Sequence, residues 1–249
     1  MIRMDYLEPD KQTIAEIFRR MDAGEAFYYT RFGDGDFLNM LDPNCTRQKR
    51  SKGSPELQQA LLKSYCIDDP AYMIGSILGP RKVFGVDKTE EIRAYADPIF
   101  KHFTLYSAIA PHTLFQNYGK GEDFMDLHKR LLNKRVLLLC AVNADCQLNR
   151  RIFNVTSLKT LPPEQGFYAI TDKWYNRVKE LALQADIVVS CVGSSTKAIA
   201  GRLWYDGVRN IQYLDLGSVT DAMARLGTRK WIRQDVGAAD FYAKALKVQ

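Results

Sequence analysis

The chain is short of several things that would settle its class at once. Apolar runs end after about six to eight residues, well below the roughly 18 a membrane-spanning helix needs. The first ten residues, Met1 to Asp10, lack the apolar core of a signal peptide. A chain without span or signal is expected in the cytoplasm. The five cysteines (45, 66, 140, 146 and 191) include no C-x-x-C pair, which argues against a disulfide framework and against a zinc site. The three histidines, His102, His112 and His128, show no metal-ligand spacing. His112, in a polar loop, is the one to test as a base. The sequence has no G-x-x-x-x-G-K-[ST], no G-x-G-x-x-G and no G-x-S-x-G, so P-loop, dinucleotide and serine-hydrolase readings lose their usual support. Internal repeats, low-complexity segments and linkers are also missing.

What the chain has is 249 residues with 46% hydrophobic content, enough for a sizeable core, and a formal net charge of +6. The basic balance suits acidic partners such as nucleotide phosphates, anionic lipid or nucleic acid. The densest basic cluster is Arg47, Lys49, Arg50 and Lys52, in a polar loop over 42–53.

Periodicity predicts a helix over 10–22, with Ile14, Ile17, Phe18 and Met21 on one face, then a strand over 25–31. A second helix is predicted from Ser54, with Pro55 in its first turn. Strands over 72–78 and 104–110, a helix over 88–102, a loop over 111–121 and a helix over 122–133 make a less regular part. From residue 135 the pattern alternates: strands at 136–142, 155–161, 186–192 and 210–214, helices at 145–153, 170–184, 193–206, 218–226 and 238–247. Val136–Val142 and Asp186–Val192 are continuous apolar runs of the kind found in strands covered on both faces. The expectation is one α/β domain over 1–249, a doubly wound, mostly parallel, Rossmann-like sheet, with 42–130 as a cap or acceptor-side region.

In such a sheet ligands bind at the carboxyl ends of the strands. Those ends carry Arg31-Phe32-Gly33-Asp34-Gly35-Asp36-Phe37, then Asn143, Pro162–Gly166, Gly193-Ser194-Ser195-Thr196, and Asp215-Leu216-Gly217-Ser218. Hard divalent cations prefer carboxylate oxygens, so Asp34 and Asp36 are candidate metal ligands, with Gly35 letting the backbone turn between them. Arg31 can neutralise a carboxylate or grip a phosphate. The same Gly-Asp-Gly-Asp is also good turn chemistry. Gly193–Thr196 opens a helix, where it either caps the helix or receives a phosphate.

Arg31–Phe37 resembles the R-F-G-D-G-E motif of the GT-D type glycosyltransferases. In order along the chain, Pro162–Tyr168 looks like that family's P-x-x-N-A-F loop, Val189–Thr196 like its strand and L-G-P-T-A turn, and Tyr213–Ser218 like its D-I-G strand end. The resemblance implies transfer of a sugar from a nucleotide-diphosphate donor, commonly a UDP-sugar, with Mn²⁺ or Mg²⁺. It places Asp34 and Asp36 at the metal and diphosphate, Arg31, Gly33 and Gly35 beside them, and Gln165, Gly166 and Phe167 by the nucleoside. Gly193, Ser194, Ser195, Thr196, Asp215, Gly217 and Ser218 would line the donor crevice. Asp36 stands where the family has Glu, Gln165-Gly166 where it has Asn-Ala, and Ser-Val-Thr-Asp follows Gly217. Asp221 is the candidate base for an acceptor hydroxyl on a glycan, glycoprotein or other molecule, an acidic one included. The competing expectation is a basic, non-catalytic module for nucleic acid or another polyanion.

Overall fold

A computed structural model describes residues 10–44, 53–76, 82–83, 86–87, 105–161, 171–234 and 237–248. Seven strands form an all-parallel sheet in the order β5-β2-β1-β9-β8-β6-β7. They are β1 (Phe27–Phe32), β2 (Tyr72–Ser76), β5 (Leu105–Ser107), β6 (Val136–Ala141), β7 (Val155–Leu161), β8 (Ile187–Cys191) and β9 (Gln212–Asp215). A separate two-residue hairpin pair, β3 (Lys82–Val83) and β4 (Val86–Asp87), lies in the less regular part.

Alternation along the strands divides the core into two layers. Tyr28, Phe32, Tyr72, Leu137, Leu139, Val188 and Tyr213 point to one side, against helices Pro55–Tyr65, Thr171–Leu183 and Ser195–Tyr205. Phe27, Tyr29, Met73, Leu138, Cys140, Val189 and Leu214 point to the other, against helices Asp10–Asp22, Ala110–Gln116, Phe124–Leu131, Gln147–Ile152, Val219–Met223 and Gly237–Ala245. The result is the expected α/β architecture with helices on both faces of one sheet.

The centre of the first layer is a row of tyrosines. Tyr28 is in register with Tyr72 on one side and Tyr213 on the other, and its ring stacks on theirs at centroid distances of 5.6 and 5.2 Å. The row locks β1 between β2 and β9, because cross-strand aromatic pairs fix register as well as burying area. Helix Ser195–Tyr205 packs closely on helix Pro55–Tyr65 through Gly201, where a Cβ would fall 2.8 Å from that of Ser64.

Four differences from the sequence expectation have physical reasons. The predicted loop 111–121 contains helix Ala110–Gln116, because Pro111 lies in its first turn, where a missing N–H costs nothing. The predicted strand 104–110 ends at Ser107, because the chain turns at Ala108 and Ile109 into that helix. Helix Lys230–Gln234 was not expected; at five residues it is too short to show a period. The final helices run Val219–Met223 and Gly237–Ala245 rather than 218–226 and 238–247. The predicted helix 88–102 and the basic cluster at 47–52 lie outside the described residues.

Candidate functional site at the carboxyl ends of the central strands

β1 carries Arg31 and Phe32 to the sheet edge, Gly33 is extended, and a helix begins at Asp34. The motif is thus a strand-to-helix corner. Asp36, at the third helical position, reaches back so that its Oδ2 accepts the Gly33 N–H at 2.8 Å, and both acidic residues complement the helix dipole. The two carboxylates part company here. Two steps along a helix separate side chains by about 200°. Asp34 is exposed and accepts the adjacent Gly35 N–H at 3.0 Å, whereas Asp36 is only 6% exposed.

Asp36 belongs to a buried charged cluster that joins three strand ends. Its Oδ1 accepts the Ser194 hydroxyl at 2.6 Å, and Asn39 Nδ2 lies 3.5 Å from that same hydroxyl oxygen. The Lys197 Nζ stands 3.5 Å from Asp36 Oδ2 and 3.1 Å from Asp215 Oδ2, and donates to the Gly193 carbonyl at 3.1 Å. Asp215, at the end of β9 and fully buried, also accepts the Arg31 N–H at 3.1 Å and the Gly217 N–H at 2.9 Å. Two buried carboxylates therefore share one buried ammonium, and each of their four oxygens also accepts from a backbone N–H or a hydroxyl. Such satisfaction is what makes buried charge tolerable.

The Arg31 guanidinium is engaged differently. Its Nε donates to the Ala108 carbonyl at 2.7 Å, and one terminal nitrogen lies 3.5 Å from His112 Nε2. Among the described residues no carboxylate pairs with it. It passes so close over Gly217 that a Cβ there would sit 1.5 Å from Nη1. Gly217 has φ +62°, a backbone conformation that glycine adopts without penalty. The His112 ring lies against Trp231 at a centroid distance of 4.4 Å.

Arg31, Gly33, Asp36, Ser194, Asp215 and Gly217 are therefore brought together. Asp34 borders them on the exposed side. Gly193 has φ +61° and supplies its carbonyl to Lys197; Ser194 donates to Asp36 instead of capping its helix. Thr196 Oγ1 accepts the Val192 N–H at 3.0 Å and the Ser190 hydroxyl at 3.2 Å, so it braces the turn. Ser195 is buried at the first helical position. Ser218 stands at the start of helix Val219–Met223 without a side-chain capping bond. Asp221 accepts the Thr228 hydroxyl at 2.6 Å, which commits one carboxylate oxygen to a local bond. Asn143 is exposed on a short 3₁₀ turn after β6. Gln165, Gly166 and Phe167 lie outside the described residues.

The residues present do not fit a divalent ion held between Asp34 and Asp36. Asp34 points to solvent. Asp36 already accepts from Ser194 and Gly33 and has the Lys197 ammonium beside it. Among the described residues no three His, Cys, Asp or Glu side chains converge.

Lys197 and Trp231 were missed in the sequence reading. A signal for Lys197 existed. It is a cation in the first turn of a helix, where the dipole opposes it, and it follows a glycine turn at a strand end. A residue that breaks a local rule in that position marks a site. Trp231 carried no such signal.

The chain matches no protein-family model and no curated protein. Its fold is nevertheless shared with a group of solved structures. One similar structure is described as a new glycosyltransferase (DUF1792) from Streptococcus sanguinis; TM-score 0.64, 15% identity, covering 94% of this chain and 85% of that one. A second is described as the highly conserved domain of unknown function 1792 with a distinct glycosyltransferase fold; TM-score 0.64, 13% identity, covering 94% and 82%. A selenomethionine-substituted structure of the same domain gives a TM-score of 0.61 at 15% identity.

Proposed function

We propose that the chain transfers a sugar from a nucleotide-diphosphate donor, a UDP-sugar by resemblance, to an acceptor hydroxyl. The observation that carries this reading is Arg31. Its guanidinium has no carboxylate partner among the described residues and is held at the carboxyl end of a central strand in a glycosyltransferase fold. Negative charge grows on the diphosphate as the glycosidic bond breaks. A preoriented guanidinium that strengthens its hydrogen bonds as that charge grows lowers the barrier. Ala108 and Gly217 fix the side chain's path, so little reorganisation is needed at that moment.

The acceptor's proton needs a base. Among the described residues His112 is the imidazole beside Arg31, and its ring lies tilted against Trp231, which orients it; Asp221 is the alternative. The acceptor belongs to the hydroxyl-bearing class, glycan or glycoprotein, and the positive charge of the chain favours an acidic one.

Release of nucleoside diphosphate from UDP-, GDP-, CDP- and dTDP-sugars tests the reading. Slow hydrolysis of one donor class is expected, reduced about 100-fold or more in Arg31→Met, with the melting temperature little changed. Absence of release from every donor, or indifference to Arg31→Met, overturns it.

A further inference from the structure

Lys197 holds a position that the fold's chemistry makes unusual. Its ammonium lies between the ends of β1, β8 and β9, 3.5 Å from Asp36 Oδ2 and 3.1 Å from both Asp215 Oδ2 and the Gly193 carbonyl. The side chains of Lys197, Asp36 and Asp215 are 5%, 8% and 0% exposed. The ammonium donates to the Gly193 carbonyl and forms ion pairs with both carboxylates, so it behaves as a resident cation rather than as a mobile surface charge.

We infer that the Lys197 ammonium takes the place of a divalent cation in this chain, so that a donor diphosphate is bound without one. The inference rests on the donor reading above and concerns the same site. Its second leg is Arg31. Asp215 Oδ2 accepts the backbone N–H of Arg31, yet the guanidinium goes elsewhere, to Ala108 and His112. Lys197 compensates Asp215, and that leaves the guanidinium uncommitted to a carboxylate and available to a phosphate. Lys197 is thus a positioning residue. Its removal leaves two carboxylates facing one another, and these either draw Arg31 inward or recruit a metal ion from solution.

The experiment is calorimetric binding of UDP, GDP, CDP and dTDP to the full chain, in EDTA and in Mn²⁺, with melting curves in EDTA and in Mn²⁺ alone. The wild type is expected to bind its preferred nucleotide equally in both conditions, within about twofold. Mn²⁺ alone is expected to leave its melting temperature unchanged. Lys197→Met should bind at least about tenfold more weakly in EDTA and recover in Mn²⁺, which should also raise its melting temperature. A purely structural lysine would leave the nucleotide affinity of the folded protein in EDTA unchanged. Wild-type binding that is about tenfold or more tighter in Mn²⁺ overturns the inference and leaves the donor reading intact. So does a Lys197→Met protein with unchanged affinity in EDTA. If no nucleoside diphosphate binds in either condition, the donor reading fails and the inference falls with it. Should Lys197→Met not fold, the wild-type comparison decides alone.

Discussion

Gly217 shows how one residue without a side chain can set the course of another. Its φ of +62° costs an ordinary residue about 1–2 kcal/mol, and its missing Cβ is the space through which Arg31 reaches Ala108 and His112. Gly217→Ala has a stability cost of about that size, because the group it meets is the far end of a flexible side chain. The functional cost is larger: the guanidinium must leave its path. Nucleotide affinity, measured beside a denaturant melt, is expected to fall about tenfold or more while the protein stays folded; unchanged affinity would show that the path of Arg31 does not matter. At this scale the sequence was informative about residue type and silent about burial. Arg31 and Asp36 were identifiable from their motif. That Asp34 faces water while Asp36 is sealed beneath Ser194 and Lys197 depends on a helix starting at residue 34, packed against a turn about 160 residues later.

Among the elements, those with a strong period were legible. Ile14, Ile17, Phe18 and Met21 are all buried in the first helix, as their spacing requires, and the continuous apolar runs became β6 and β8, covered on both faces. Helix Ala110–Gln116 was not legible, since a proline reads as a break unless the helix start is already known. The first helix also has an electrostatic clamp. Glu16 accepts from Arg19 and Arg20 at 2.8 and 2.7 Å, and the hydrogen bond from Arg19, helped by Arg20, holds its carboxyl at about 2, below the ordinary value of 4.5. A carboxyl depressed by folding adds stability above its unfolded value and loses it as pH falls through the folded one. Glu16→Gln is therefore expected to cost about 0.5–1 kcal/mol near neutrality. The two melting curves should converge as pH drops from about 4.5 towards about 2. Circular-dichroism melts across that range check it; a constant difference would assign the effect to helix propensity.

For the whole molecule, the parallel order of the sheet was expected from alternating strands and helices, but the neighbour relations were not. Nothing local in the sequence says that β1 lies between β2 and β9; that follows from packing of the tyrosine row and the helices around it. Two thiols sit within this sheet. Burial pushes Cys140 up to about 12 and Cys191 higher, so neither presents a reactive thiolate near neutrality. Cys66 is exposed. Alkylation at pH 8 followed by peptide mapping should label Cys66 in the native protein, and Cys140 and Cys191 only when the sheet opens. Their labelling should follow global unfolding rather than local fraying. Fast native labelling of Cys140 would mean that the sheet opens locally.

The pairing of β1 with β9 also sets a timetable for synthesis. Phe27 is registered with Gln212, and the backbone of Arg31 meets the side chain of Asp215. While the ribosome is still adding the intervening residues, one edge of β1 has no native strand to pair with, and the charged cluster lacks half its members. Contacts so distant in sequence form slowly and leave a nascent chain exposed to wrong partners. The site is completed only after residue 215 has emerged. A chain stopped before that point would carry the corner at Arg31–Asp36 without the strand that balances it.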